Sequence, residues 1–197
     1  MARRKQSGKS QSGRLRIVAG NWRSRRLDIA DVEGLRPTSE RIRETLFNWL
    51  APRIHGARCL DLFAGTGALG LEALSRGAAE STFVERSPIA AQQLRDNIEL
   101  LGAAGASVVR QDAAGFINGG TASDFDVVFL DPPFAADLLG ETCRLLAGSN
   151  LLASGALVYL EMERNREEPP LPVGWQVLKN STAGNVRYML VETGGNK

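Results

Sequence analysis

The residues with most chemistry per position are Asp131-Pro132-Pro133-Phe134, which follow directly on the apolar run Val127-Val128-Phe129-Leu130. A carboxylate beside a backbone carbonyl offers two acceptors, which matches a planar NH2 group with two donors. An aromatic ring two positions beyond Pro132 can stack on the base that carries such an amine, a contact worth roughly 1–3 kcal/mol. Each proline fixes its own φ near about −65° and biases the residue before it towards extended geometry, so Asp131 and the Pro132 carbonyl are held in place. Taken alone, the tetrapeptide also fits an ordinary Pro-Pro loop after a core strand.

A second constellation lies upstream. Gly65, Gly67 and Gly70 satisfy G-x-G-x-x-G within Ala64-Gly65-Thr66-Gly67-Ala68-Leu69-Gly70, a pattern that suits a nicotinamide dinucleotide as well as an adenosyl group. Asp61 helps to separate the two. An acid beside the loop repels a pyrophosphate but attracts the ammonium and sulfonium of S-adenosylmethionine; it can equally cap the next helix. Glu85 stands twenty positions after Gly65, the offset at which a carboxylate accepts from ribose hydroxyls, and this serves either cofactor. Asp112 can take an adenine amino group or cap the turn that follows it. Phe63, Ala64, Thr66, Arg86, Ala113 and Thr38 complete the expected cofactor pocket.

These residues need strands that end where they stand. Runs at 58–63, 81–85, 106–111, 126–130 and 156–161 read as five strands alternating with helices, and 175–179 with 186–191 as a closing antiparallel hairpin. Continuous apolar strands indicate a parallel sheet covered on both faces, whose ligands bind at the carboxyl ends. Ser87 and Pro88 open a helix that runs through Ala91, Leu94, Ile98 and Leu101, and another helix spans 138–146. Ahead of the sheet, Ile42, Leu46, Trp49 and Leu50 share one face of a helix capped by Thr38 or Ser39. The segment 161–168 reads as a charged surface stretch.

Charge divides along the chain. Residues 1–27 hold nine Lys/Arg and no acid, whereas the rest carries 15 basic against 22 acidic residues. This asymmetry suggests a polyanion-binding arm on an acidic domain. Residues 1–13 are too polar to offset their ordering entropy and are expected to be disordered until bound. A basic β-hairpin at 14–34 follows, with strands at 15–20 and 26–29, and then the main domain at 35–197. Arg16, Arg23, Arg25 and Arg26 suit phosphates, Trp22 suits base stacking or burial in a structural flap, and Arg36 and Pro133 extend the expected substrate surface. Cys59 and Cys143 read as buried thiols, and His55 has no Cys or His companions, so no metal is expected. No apolar run has membrane-spanning length, and the expected setting is the cytoplasm.

The tetrapeptide resembles the (Asp/Asn/Ser)-Pro-Pro-(Tyr/Phe) signature of methyltransferases that act on exocyclic amino nitrogens, and the whole constellation resembles a class I, Rossmann-like methyltransferase. From about Arg16 to Tyr188 the chain is similar to one family, the bacterial 16S ribosomal RNA guanine-N2 methyltransferases (RsmD). The similarity is carried by RIVAGNWR at 16–23, LRPT at 35–38, RIRETLFNWL at 41–50, DLFAGTGALGLEALSR at 61–76 and DPPF at 131–134. It implies an α/β fold with a seven-stranded, mostly parallel sheet, an antiparallel C-terminal hairpin and a small N-terminal β-hairpin. It also implies a monomer that takes a methyl group from S-adenosylmethionine to N2 of the guanine at position 966 of 16S rRNA. The expected partner is the small ribosomal subunit with its bound proteins. In that scheme Asp131, Pro132 and Phe134 form the catalytic set, and catalysis comes mainly from positioning. An adenine-N6 methyltransferase is the nearest rival. A nicotinamide-dependent oxidoreductase leaves Asp61, Asp131-Pro132-Pro133-Phe134 and the basic arm without a role, and a non-catalytic ribosome-assembly binder is a third reading.

Overall fold

The computed structural model describes residues 13–120, 123–133 and 138–194. Phe134 and the basic tail up to residue 12 lie outside the described residues. Five strands run parallel: β3 (Arg58–Asp61), β4 (Glu80–Val84), β5 (Ala106–Val109), β6 (Phe125–Leu130) and β7 (Leu152–Glu163). β9 (Val186–Glu192) pairs antiparallel with both β7 and the edge strand β8 (Gln176–Ala183). The sheet order is β5-β4-β3-β6-β7-β9-β8. The chain therefore winds one way from β3 to β5 and the other way from β6 onwards. That reversal opens a crevice between the carboxyl ends of β3 and β6, the place where open α/β sheets take ligands.

Alternation along each strand divides the core in two. Cys59, Phe83, Val127, Phe129 and Tyr159 face α1 (Glu40–Leu50), α2 (Ala68–Ser75) and α3 (Pro88–Leu101). Leu60, Val84, Val128, Leu130 and Leu160 face α4 (Ala113–Gly119) and α5 (Leu139–Ala147). Buried on both sides, these strands carry no polar alternation, as parallel strands require. Ser39 caps α1 through its hydroxyl, which accepts from Ile42 N, and Ser87 caps α3 in the same way for Ala90 N. On α1, Phe47 and Arg43 are buried beside the expected Ile42, Leu46 and Leu50, while Trp49 is half-buried and stacks on Tyr188.

The N-terminal hairpin is shorter than its sequence suggests: β1 (Arg14–Arg16) pairs with β2 (Arg26–Asp28) over three residues. Val18 and Ala19 leave the ladder because their amides donate to the Glu72 carboxylate, at 2.9 and 3.0 Å. Arg43 Nη1 and Arg76 Nε also donate to Glu72, at 3.0 and 2.9 Å, and Glu72 is wholly buried. The Asn21 amide donates to the Ser75 carbonyl, and the Ser75 hydroxyl donates to the Ala19 carbonyl and accepts from Trp22 N. Gly20 sits at φ +82, where a Cβ would overlap the Ser75 carbonyl, so only glycine lets the two backbones meet here. Leu15, Ile17, Leu27 and Ile29 join the same core as Phe47 and Phe129.

β7 is twice the length expected for the fifth strand, and this corrects the reading of 161–168 as surface at its first three residues, while 164–168 are exposed as expected. Glu161 lies within the strand at 4% exposure. Among the described residues no helix is long and apolar enough to cross a membrane. Cys59 and Cys143 are free and buried.

Candidate active site

At the tip of β3, Asp61 is 2% exposed and accepts from the Gly70 amide at 3.2 Å. Gly70 lies in the first turn of α2, whose N-cap, Gly67, supplies no side chain; Asp61 thus holds the helix end from a distance, and the cap alternative is part of its role. Burial pushes its carboxyl up to about 7, the Gly70 and Phe63 amides oppose that rise, and the charges of Asp131 and Glu85 add to it. Between strand and helix the loop turns on Gly65 at φ +51 and Gly67 at φ +76, left-handed geometry that favours glycine. Ala64, Thr66 and Gly67 are buried, and Phe63 and Gly65 are half-buried.

Glu85 follows β4 and ties the loop to the next turn. Its Oε2 accepts from Gly65 N at 2.9 Å and its Oε1 from Ser87 N at 2.6 Å. Each carboxylate oxygen has two lone pairs, so one remains on each for a ribose hydroxyl. Arg86 beside it is exposed. Asp112 is the N-cap of α4, its Oδ1 accepting from Gly115 N at 2.7 Å, and Ala113 is buried behind it. Capping accounts for Asp112 Oδ1, and the residue itself is exposed.

Asp131 stands at the carboxyl end of β6, the strand that pairs with β3 from Cys59↔Val127 to Asp61↔Phe129. Pro132 is buried and Pro133 exposed. Thr38, expected in the cofactor pocket, donates its hydroxyl to Asp131 Oδ2 at 3.2 Å, and its own carbonyl accepts from Arg43 Nε at 3.1 Å. Burial raises the Asp131 carboxyl to about 6, against the pull of the Thr38 hydroxyl. The residue that sequence reasoning missed is Glu161, whose Oε2 accepts from the Tyr159 hydroxyl at 2.7 Å. Burial and then the Asp131 charge raise Glu161 to about 8, while the Tyr159 and Thr38 hydroxyls resist. Its signal was present: an acid ends the apolar run 156–160 just as Asp61, Glu85 and Asp131 end theirs.

The expected substrate arginines divide. Arg16 is bound in a two-pronged ion pair with Glu40, which raises the arginine and lowers the acid. Arg23, Arg26 and Arg36 are exposed, and Arg25 is exposed with one long hydrogen bond to the Leu100 carbonyl at 3.4 Å. Trp22 is half-buried against the core. The hairpin thus contributes one arginine to its own attachment and presents the others outward.

A glycine loop at the switch point, carboxylates on three successive strand ends beside it and an Asp-Pro-Pro turn across the crevice define a class I methyltransferase architecture. A family model described as "Conserved hypothetical protein 95" matches residues 15–192. Ribosomal RNA small subunit methyltransferase D of Escherichia coli K12 is 47% identical over 188 residues, 95% of this chain and 94% of that protein. The protein of the same name from Haemophilus influenzae is 45% identical over 91% of this chain and 94% of its own. The solved structure of yhhF from Escherichia coli superposes with a TM-score of 0.87 at 44% identity, covering 93% of this chain and all of that one. The chain belongs to the ribosomal RNA small subunit methyltransferase D (RsmD) family.

Proposed function

We propose that this protein transfers a methyl group from S-adenosylmethionine to the exocyclic N2 of a guanine, position 966, in 16S rRNA of the small ribosomal subunit. The observation that carries the reading is the placement of Asp131 and Pro132 at the end of β6, next to the strand that carries Asp61 and the glycine loop. The relatives named above, methyltransferases of small-subunit ribosomal RNA, support the substrate class.

In this mechanism the cofactor's adenosine takes the crevice along Phe63–Gly67, with Glu85 accepting from its ribose and Asp112 or its neighbour Ala113 meeting the adenine. Asp61 faces the cationic end of the cofactor, whose sulfonium supplies the methyl group. Guanine N2 is a poor nucleophile because its lone pair is delocalised into the ring. Two hydrogen bonds from the amine, to Asp131 and to the Pro132 carbonyl, fix the nitrogen so that this lone pair faces the methyl carbon; positioning is the main catalytic device. As the N–C bond forms, the S–C bond breaks. The proton leaves the methylated nitrogen afterwards, when that nitrogen is acidic, with Asp131 as its first acceptor. Phe134 stacks on the extruded base and offsets an unstacking cost of a few kcal/mol. Exposed Arg23, Arg25, Arg26 and Arg36 bind phosphates and set the register of the RNA.

The test is tritiated S-adenosylmethionine with purified small subunits and, in parallel, naked 16S RNA, followed by nucleoside analysis. The expected product is N2-methylguanosine. Label in 6-methyladenosine, or in no nucleoside at all, overturns the reading.

A further inference from the structure

Asp131 is not alone at this edge of the sheet. Leu130 lies opposite Leu160 in the parallel register of β6 and β7, so Asp131 and Glu161 come next on neighbouring strands, about 5 Å apart at the backbone. Side chains alternate along a strand, which puts both on the face that carries Phe129 and Tyr159. The Thr38 hydroxyl favours the charged form of each. The groups that set the Glu161 charge are Asp131, Tyr159 and Thr38, none of them a cation. A pure scaffold has little use for such an acid, since an unpaired buried charge destabilises a fold.

Guanine carries its N1–H donor immediately beside the N2 amine, whereas adenine and 2-aminopurine carry a lone pair at N1. Enzymes that extrude a base read it along this edge. We propose that Glu161 is the specificity-determining residue: with N2 held by Asp131 and the Pro132 carbonyl, the Glu161 oxygen not engaged by Tyr159 accepts the guanine N1–H. The inference rests on the guanine-N2 reading above. With Tyr159 donating to one oxygen, only the ionised carboxylate leaves the other as an acceptor, so recognition of the N1–H strengthens as pH rises through the neutral range. Tyr159 turns the carboxyl so that one oxygen is committed to the protein and the other is left for the base.

The test uses small subunits reconstituted with 2-aminopurine in place of the methylated guanine. The analogue keeps the exocyclic amine and replaces N1–H by a lone pair; it also lacks O6, equally for every variant. Wild-type enzyme in single turnover should methylate it about 10- to 100-fold more slowly than guanine. In Glu161→Gln the Tyr159 hydroxyl still donates to the amide oxygen, which leaves the NH2 facing the base as a donor to the analogue's N1. The guanine-to-analogue ratio should then fall by about 100-fold. Adding Tyr159→Phe frees the amide to turn and should return part of the preference for guanine.

A ratio identical in wild type and Glu161→Gln, with guanine methylated by both, overturns the proposal and leaves the proposed function standing. So does wild-type enzyme that methylates the analogue as fast as guanine, a result that needs no variant to fold. Wild-type enzyme that leaves guanine unmethylated removes the underlying reading and the proposal with it.

Discussion

Two buried charged corners of this molecule lie on the same face of the sheet and are built in opposite ways. Around Glu72 every charge is answered: two backbone amides and two arginines converge on one carboxylate, and Arg43 gives two further donors to the Thr38 and Arg16 carbonyls. Around Asp131, which is itself half-buried, Asp61 and Glu161 are buried, all three with hydroxyls and amides as partners, and loss of solvent raises all three. A satisfied buried ion cluster fixes one geometry, and removing a member strands the others. Acids held in an unsatisfied state are stabilised when a cation or a donor-rich ligand arrives. The first corner attaches the hairpin, and the second is the one the proposed function assigns to substrate and cofactor.

The largest way to break this contrast is at the satisfied corner. Glu72→Ala leaves two guanidinium groups and two amides without their acceptor and should cost about 3–5 kcal/mol in urea unfolding. A loss below about 1 kcal/mol would mean that water replaces the carboxylate and the corner is not a structural anchor. At the other corner Asp131→Ala should behave in reverse. Single-turnover methyl transfer should fall at least about 100-fold, equivalent to about 2.7 kcal/mol, with the unfolding midpoint unchanged or higher. Full methyl transfer in this variant would remove Asp131 from the mechanism.

The pH response sharpens the comparison. An acid raised on folding binds more protons in the folded state than in the unfolded one, so stability declines as pH rises between the two values. For Asp61 the window runs from about 4, its unfolded value, to about 7; the cost is absent below it and complete above it. Asp61→Asn should flatten the decline in cofactor-free protein and weaken S-adenosylmethionine binding about 10- to 100-fold, since a hydrogen bond to a charged group contributes about 1.5–3 kcal/mol. An unchanged pH slope in calorimetric unfolding would mean that Asp61 is not raised. The smallest effect is expected outside both corners. Arg25→Ala should reduce the slope of log affinity for 16S RNA against log salt by about 1 without altering stability; an unaltered slope takes Arg25 off the phosphates.

Much of this was legible in the sequence. Apolar runs ending in Glu85 and Asp131 located two strand tips, the run at 58–63 overshot its tip at Asp61 by two residues, Gly65 and Gly67 located the turn that follows, and Ser87-Pro88 opened α3 where local chemistry puts a helix start. Such signals lie within a few residues, and so they read directly. What stayed hidden depends on partners distant in the chain. Arg16 looked like a phosphate ligand until Glu40, twenty-four residues on, claimed it. Val18 and Ala19 looked like strand until Glu72, more than fifty residues away, took their amides. Glu161 read both as the last residue of the fifth strand and as the start of a charged surface stretch, and only its distant partners Thr38 and Asp131 show that it is buried.

The welding of Gly20 to Ser75 has an engineering consequence. α2 begins at the glycine loop and ends under the hairpin, so a single eight-residue rod carries both attachments. A transplant of the basic hairpin onto another scaffold must bring this rod along, and with it the glycine loop at its head. Hairpin and loop are therefore inherited as one block, and shuffling within this architecture has its permitted seams elsewhere.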